Sequence, residues 1–313
     1  MLWIESGLGY SWSLWFNRLG DNIPIFILNL FNFIGNELFY ILLFPLIYWC
    51  INKSIGKRAL IITLLTAYVS SLFKYLLVRP QPFDLYSRGS GKIINRVLVD
   101  EEYGFPSSYT MGITSLWLYF SSISKKISVK ILSILVILLT GLVRVISGGE
   151  FIFTTLLSIL FSILILVIFK IFEPKITTLC NQRYSVSQRV LLILFFSIAA
   201  IVIVLLINIT SIEIPLILVG CFLGTTTGIV LEKEYIHFSV DGSLILRIGR
   251  YFFGIIIISV VYYGIEFLYN ISALDNNFIL FVKYSVLTFI ITFPLPKLFI
   301  YMNLSRDSLR TYL

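Results

Sequence analysis

The chain has 313 residues, 58% of them hydrophobic and 13% charged, with a mean hydropathy of +0.96. A soluble domain carries about 25% charged residues, so the composition excludes a soluble enzyme and predicts an all-α, polytopic membrane bundle. The net charge of +8 is not a nucleic-acid signature, because Lys and Arg in such proteins mark cytoplasmic loops.

The chain opens on amphipathic sequence without a cleavable signal pattern. Its first twenty residues, with Trp3, Trp12, Trp15, Phe16 and Arg18, predict an interfacial helix. A bilayer-crossing helix needs roughly 20 apolar residues. Nine such stretches follow, at about 28–50, 58–78, 106–123, 129–147, 151–172, 189–207, 214–232, 251–269 and 278–300. Only Ser147 to Gly149 separates the fourth from the fifth, so these two also read as a broken pair.

One set of loops collects the cations: Lys53, Lys57 and Arg58; Lys125, Lys126 and Lys130; Lys170, Lys175, Arg183 and Arg189; Lys233, Arg247 and Arg250; and Arg306 and Arg310 in the tail. The other set has one charged loop. It balances Arg79, Arg88, Lys92 and Arg96 against Asp84, Asp100, Glu101 and Glu102. The positive-inside rule puts the first set in the cytoplasm, with the N-terminus outside. The chain is then integral to a cytoplasmic (inner or plasma) membrane. Cys50, Cys180 and Cys221 have no partner at metal-ligand or disulfide spacing, and nothing calls for a cofactor.

Four polar features interrupt the apolar sequence: Lys74 near the end of the second span, Ser107, Ser108 and Tyr109 opening the third, Arg144 closing the fourth and Glu150 opening the fifth. Following the chain through the membrane brings all four to the outer face. Two cations beside a helix N-terminus with hydroxyls form an anion-binding set. The bland alternative is interfacial snorkelling of Lys74 and Arg144, with Glu150 as their ion-pair partner.

The order of these segments resembles the type 2 phosphatidic acid phosphatase superfamily, which shares its helical core with vanadium haloperoxidases. The stretch from Lys74 through Arg79 and Pro80 to Phe83 resembles its first motif, and Tyr103 to Tyr109 its second. Val143–Arg144 through Glu150 to Thr154 resembles the third. "GNELFYILLFPLIYWC" at 35–50 and "FSVDGSLILRIGRYFFG" at 238–254 extend the likeness over nearly the whole chain.

The resemblance implies that Lys74, Ser107 and Arg144 hold phosphate. The first motif's Arg falls on Gln81, with Arg79 two residues early. The second motif's Gly falls on Ser108 and its acid His on Tyr109. The nucleophilic His falls on Glu150, and the Asp that orients it on Thr154. The family's displacement needs a basic nucleophile held in alignment and an acid for the leaving alcohol. The only histidine, His237, is expected on the cytoplasmic side, across about 30 Å of hydrocarbon.

The polar interruption at about 173–188, the longest after the fifth span, is a cytoplasmic linker that divides the chain into a membrane core at 1–172, like that of the superfamily, and a C-terminal four-helix unit at 189–313. Three readings follow. The first is a catalytically silent relative that binds, regulates or helps transport a lipid phosphate or pyrophosphate. The second is an active phosphatase on a lipid such as a polyprenyl pyrophosphate. The third is a non-enzymatic structural membrane protein.

Overall fold

The computed structural model describes residues 11–13, 15–16, 23–82, 103–207, 212–271 and 276–306. Most of the expected interfacial helix lies outside the described residues, although 11–13 and 15–16 are helical. The loop charges at Asp84, Arg88, Lys92, Arg96, Asp100, Glu101 and Glu102 also lie outside them, as does Arg310.

The described chain is helical: α1 Ile25–Ile34, α2 Glu37–Leu46 (running into a π-turn, Ile47–Ile51), α3 Lys53–Leu77, α4 Ser108–Ile123, α5 Ile127–Ile146, α6 Ile152–Arg183, α7 Val186–Leu206, α8 Glu213–Tyr235, α9 Leu244–Ile271, α10 Asn276–Thr292 and α11 Pro294–Tyr301. In hydrocarbon the backbone must satisfy its own hydrogen bonds, and helices do so within one segment. Every expected span falls on helix. Seven helices are long and apolar enough to cross a membrane, and α1–α2 adds an eighth candidate as a pair bent by 57°. The chain is an integral membrane protein.

Two details differ from the sequence reading. Helix α4 has 16 residues, a rise of about 24 Å, short of the roughly 30 Å hydrocarbon core. Ser107 caps its start, and the chain turns extended at Ser124. The broken pair is α1–α2, not the fourth and fifth spans. Gly35 N–H bonds to Asn32 O and Asn36 N–H to Phe33 O, so the i→i−4 ladder fails there. The polar stretch after α6's apolar run stays helical through Pro174 to Arg183.

The chain forms two compact units, 1–40 with 65–170, and 41–64 with 171–313. In the first, α4 is buried from Thr110 to Leu116, with Met111, Ile113 and Leu116 in the core. Hydroxyls stitch its neighbours to it: Ser70 Oγ donates to Ser108 Oγ (3.0 Å) and Ser162 Oγ to Met111 O (3.2 Å). Without a hydrophobic drive between helices in lipid, small residues and such bonds hold bundles together.

The second unit is built on the same rule. Gly220, Gly224 and Gly228 form one stripe of α8 against α10. A Cβ at Gly224 would lie 2.0 Å from Ser285 O, and one at Gly228 2.0 Å from Thr292 Oγ1. Ser285 Oγ donates to Gly220 O at 3.1 Å. Trp49, fully buried, donates Nε1–H to Ile291 O at 3.0 Å. Two lysines of this unit are paired: Lys53 with Glu232 at 2.9 Å, and buried Lys283 with Glu266, its ammonium 3.7 Å from the Tyr262 ring centroid.

Gly224→Ala is expected to lower the detergent-solubilised melting midpoint by the equivalent of about 1–3 kcal/mol of overpacking. Gly264→Ala, where nothing lies within 4 Å, is expected to leave the midpoint unchanged or raise it. Thermal unfolding of both variants, followed by size-exclusion chromatography, checks this.

Candidate functional site

The first unit brings the sequence-predicted residues together at one small cavity, and each arrives for a local reason. Ser107 is the N-cap of α4, with extended backbone, and its Oγ accepts from Thr110 N–H at 3.0 Å. Its own N–H donates to Ser158 Oγ at 2.9 Å, which fixes the start of α4 against α6. A serine at an N-cap satisfies a donor that the first helical turn leaves open.

Arg144 and Glu150 are placed by the turn between α5 and α6. Gly148 has φ +76°, a left-handed conformation that glycine adopts without steric penalty. Gly149 N–H and Glu150 N–H both donate to Arg144 O, at 3.1 and 3.2 Å. The chain thereby doubles back on Arg144. A Cβ at Gly149 would stand 3.3 Å from the Arg144 guanidinium carbon, so glycine lets that group lie flat against the turn.

The Glu150 carboxylate is the centre of the arrangement. Oε1 accepts from Arg144 Nε at 3.0 Å and from the Ser107 hydroxyl. Oε2 accepts from Thr110 Oγ1 at 2.9 Å and Thr155 Oγ1 at 3.0 Å. A carboxylate offers about four lone-pair sites, and all are used. Glu150 and Arg144 are only 2% and 4% exposed. A buried ion pair persists when its remaining hydrogen-bonding capacity is met in this way.

Lys74 and Gln81 are buried and line the same cavity. Gly104 N–H donates to Arg79 O at 2.7 Å, pinning the chain after α3 beside the chain before α4. Gln81 then faces the cavity, while the Arg79 side chain is not among the residues lining it. The lining holds Lys74 and Arg144 against Glu150, a formal balance of +1 from two cations and one anion.

Tyr109 closes one side of the cavity. The Arg144 guanidinium carbon lies 4.8 Å from the Tyr109 ring centroid, within cation–π range. The Tyr109 hydroxyl donates to Phe31 O of α1. Ser108 lines the cavity and is tied to Ser70. Thr154 is buried, but it is Thr155, one residue later, that bonds the carboxylate. Thr110 and Thr155 were not singled out by the sequence reading. The signal available for Thr110 was a second hydroxyl three residues after the cap, on the same helical face.

The space left between these side chains is about 10 Å³, roughly the minimum for a single water. In this state Glu150 itself supplies the negative charge that the cations and hydroxyls surround.

Residues 56–178 match the PAP2 superfamily, and residues 216–307 match the PAP2 superfamily phosphatase transmembrane extension. Over 98 residues the chain is 32% identical to sphingosine-1-phosphate phosphatase 1 of Rattus norvegicus, covering 31% of this chain and 21% of that protein. Over 83 residues it is 32% identical to sphingosine-1-phosphate phosphatase 2 of Homo sapiens, covering 26% of this chain and 20% of that protein. The matched stretch thus spans about a fifth of these relatives' length. No solved structure matches the chain.

Removing one partner of the Arg144–Glu150 pair strands a buried charge, at about 3–5 kcal/mol. Glu150→Leu and Arg144→Met are each expected to destabilise the protein by about that much, and the double variant by clearly less than the sum. Urea or thermal unfolding of the four proteins in one detergent gives the coupling energy.

Proposed function

This chain belongs to the PAP2 superfamily of membrane phosphatases, and from that premise we propose that it is a catalytically silent member, whose phosphate cradle is filled by its own Glu150. The observation that carries this reading is the carboxylate itself. It accepts four hydrogen bonds from Arg144, Ser107, Thr110 and Thr155, in a space of about 10 Å³.

The chemistry of the lining supports the same reading. On the motif resemblance, the two histidines of the family's displacement fall on Tyr109 and Glu150, and the orienting Asp on Thr154. Glu150 is a poor substitute nucleophile, because a carboxylate approaching an anionic phosphate adds like-charge repulsion. Its lone pairs are also engaged by Arg144 and three hydroxyls. Tyr109 has its hydroxyl committed to Phe31 O.

A second reading, lipid-phosphate binding without hydrolysis, is favoured by one observation. Lys74 lines the cavity in addition to the pair and is a second cation beside Arg144. An anionic headgroup that displaced Glu150 would meet Lys74, Ser107 and Arg144. The relatives named for sphingosine-1-phosphate make a single-chain lipid phosphate the first ligand to test. Loop charge supports an orientation with the C-terminus cytoplasmic and the cluster facing outward. The two family matches, at 56–178 and 216–307, support a phosphatase-like part within the proposed core at 1–172, running into the linker at 173–188, and a membrane extension within 189–313.

Purified protein is expected to release no phosphate from sphingosine-1-phosphate, phosphatidic acid or a polyprenyl pyrophosphate above the level of Arg144→Ala. Turnover that falls on both Glu150→Gln and Arg144→Ala would reject the silent reading. Binding of sphingosine-1-phosphate that is equal in the parent, Lys74→Ala and Arg144→Ala would reject the second.

A further inference from the structure

We propose that helix α1 is a gate over the Arg144–Glu150 cluster and that Tyr109 is the latch that holds it shut. Tyr109 is a wall of the cavity, and its ring is sandwiched. One face meets the Arg144 guanidinium, 4.8 Å from the centroid. The other side meets the end of α1 at Gly35, where a Cβ would lie 2.0 Å from Tyr109 Cε2. Gly35 therefore leaves the space that the tyrosine ring fills.

The latch uses a backbone group that the helix break sets free. In an unbroken helix Gly35 N–H would bond to Phe31 O, four residues back. Here Gly35 N–H turns to Asn32 O at 3.2 Å, and the Tyr109 hydroxyl donates to Phe31 O in its place. The kink and the latch thus depend on each other.

Apart from the latch, α1 is held along one line of side chains: Leu28, buried, packs on Val143 and Ile146, with Phe31 half-buried beside them. Phe26, Leu30 and Phe33 on its other side are exposed. The helix is ten residues long and joins α2 through a 57° bend at Gly35–Asn36. Hinges are commonly a few residues between elements that absorb the backbone change. Swinging α1 away removes the outer support of Tyr109. The ring then turns off Arg144, and the cavity opens on that side. The gate stands whether the cluster behind it binds an anion or only satisfies itself.

The experiment uses full-length protein carrying Ser107→Cys, a residue 4% exposed. A sulfonated methanethiosulfonate is the probe, and modification of the peptide containing residue 107 is read by mass spectrometry, so that Cys50, Cys180 and Cys221 do not interfere. Adding Tyr109→Phe keeps the ring and removes the latch, and is expected to raise the modification rate about tenfold, the change for loss of one net hydrogen bond. Gly35→Ala, whose methyl cannot share space with the ring, is expected to do the same. Rates within twofold of the Ser107→Cys parent in both variants would overturn the gate. Phosphate release by the unmodified protein would reject catalytic silence and leave this labelling result standing.

Discussion

A buried carboxylate needs a full set of donors, and the first unit is organised around giving Glu150 that set. The requirement explains features that otherwise look unrelated. Gly148 at φ +76° lets the chain reverse, and Gly149 makes room for the guanidinium. Ser107 serves two neighbours at once, accepting from the α4 backbone and donating to the carboxylate. Thr110 and Thr155, on different helices, aim at the same oxygen. Each donor comes from a helix end or first turn, where the backbone geometry is already fixed by capping. The pair is thereby rigid without any long side chain other than Arg144.

The same logic recurs in the second unit with different partners. Lys53 Nζ bonds Glu232 and Phe238 O, at 2.9 and 2.8 Å. Lys283 is matched by Glu266 and by the face of Tyr262. Arg250, fully buried, spends its donors on the carbonyls of Ser239, Val240 and Asp241. Ionisable groups in membrane spans are expensive unless paired or bonded to carbonyls, and here that pairing fastens helices and loops together.

Much of this was legible in the sequence. Hydropathy located the spans because apolar runs of bilayer length have few other uses. The motif spacing brought Lys74, Gln81, Ser107, Arg144 and Glu150 to one place because each sits at a helix end facing the same turn region. The break at Gly35 was read through, since 28–50 was taken as one span although Gly35, Asn36 and Glu37 interrupt its apolar residues, and the kink shows only in the redirected N–H. Thr155 was missed because the resemblance drew attention to position 154, and a one-residue shift rotates a helical side chain by about 100°. The end of the site at Tyr109 was read as lost chemistry. Its packing shows what the tyrosine does in the fold: it lies against a cation and bonds to a neighbouring helix. Arg79 shows the limit of spacing arguments, because the bond from Gly104 to its carbonyl orients the backbone and so decides which side chain faces inward.

The turn between α5 and α6 has a further consequence, in the entropy of the contact it closes. Arg144 and Glu150 are six residues apart, so their ion pair is closed over a very short loop at little cost in chain entropy. Ser107 and Thr110 reach the same carboxylate across 43 and 40 residues and carry the larger closure cost. The local pair is thus the part of the cluster that asks least of the surrounding fold.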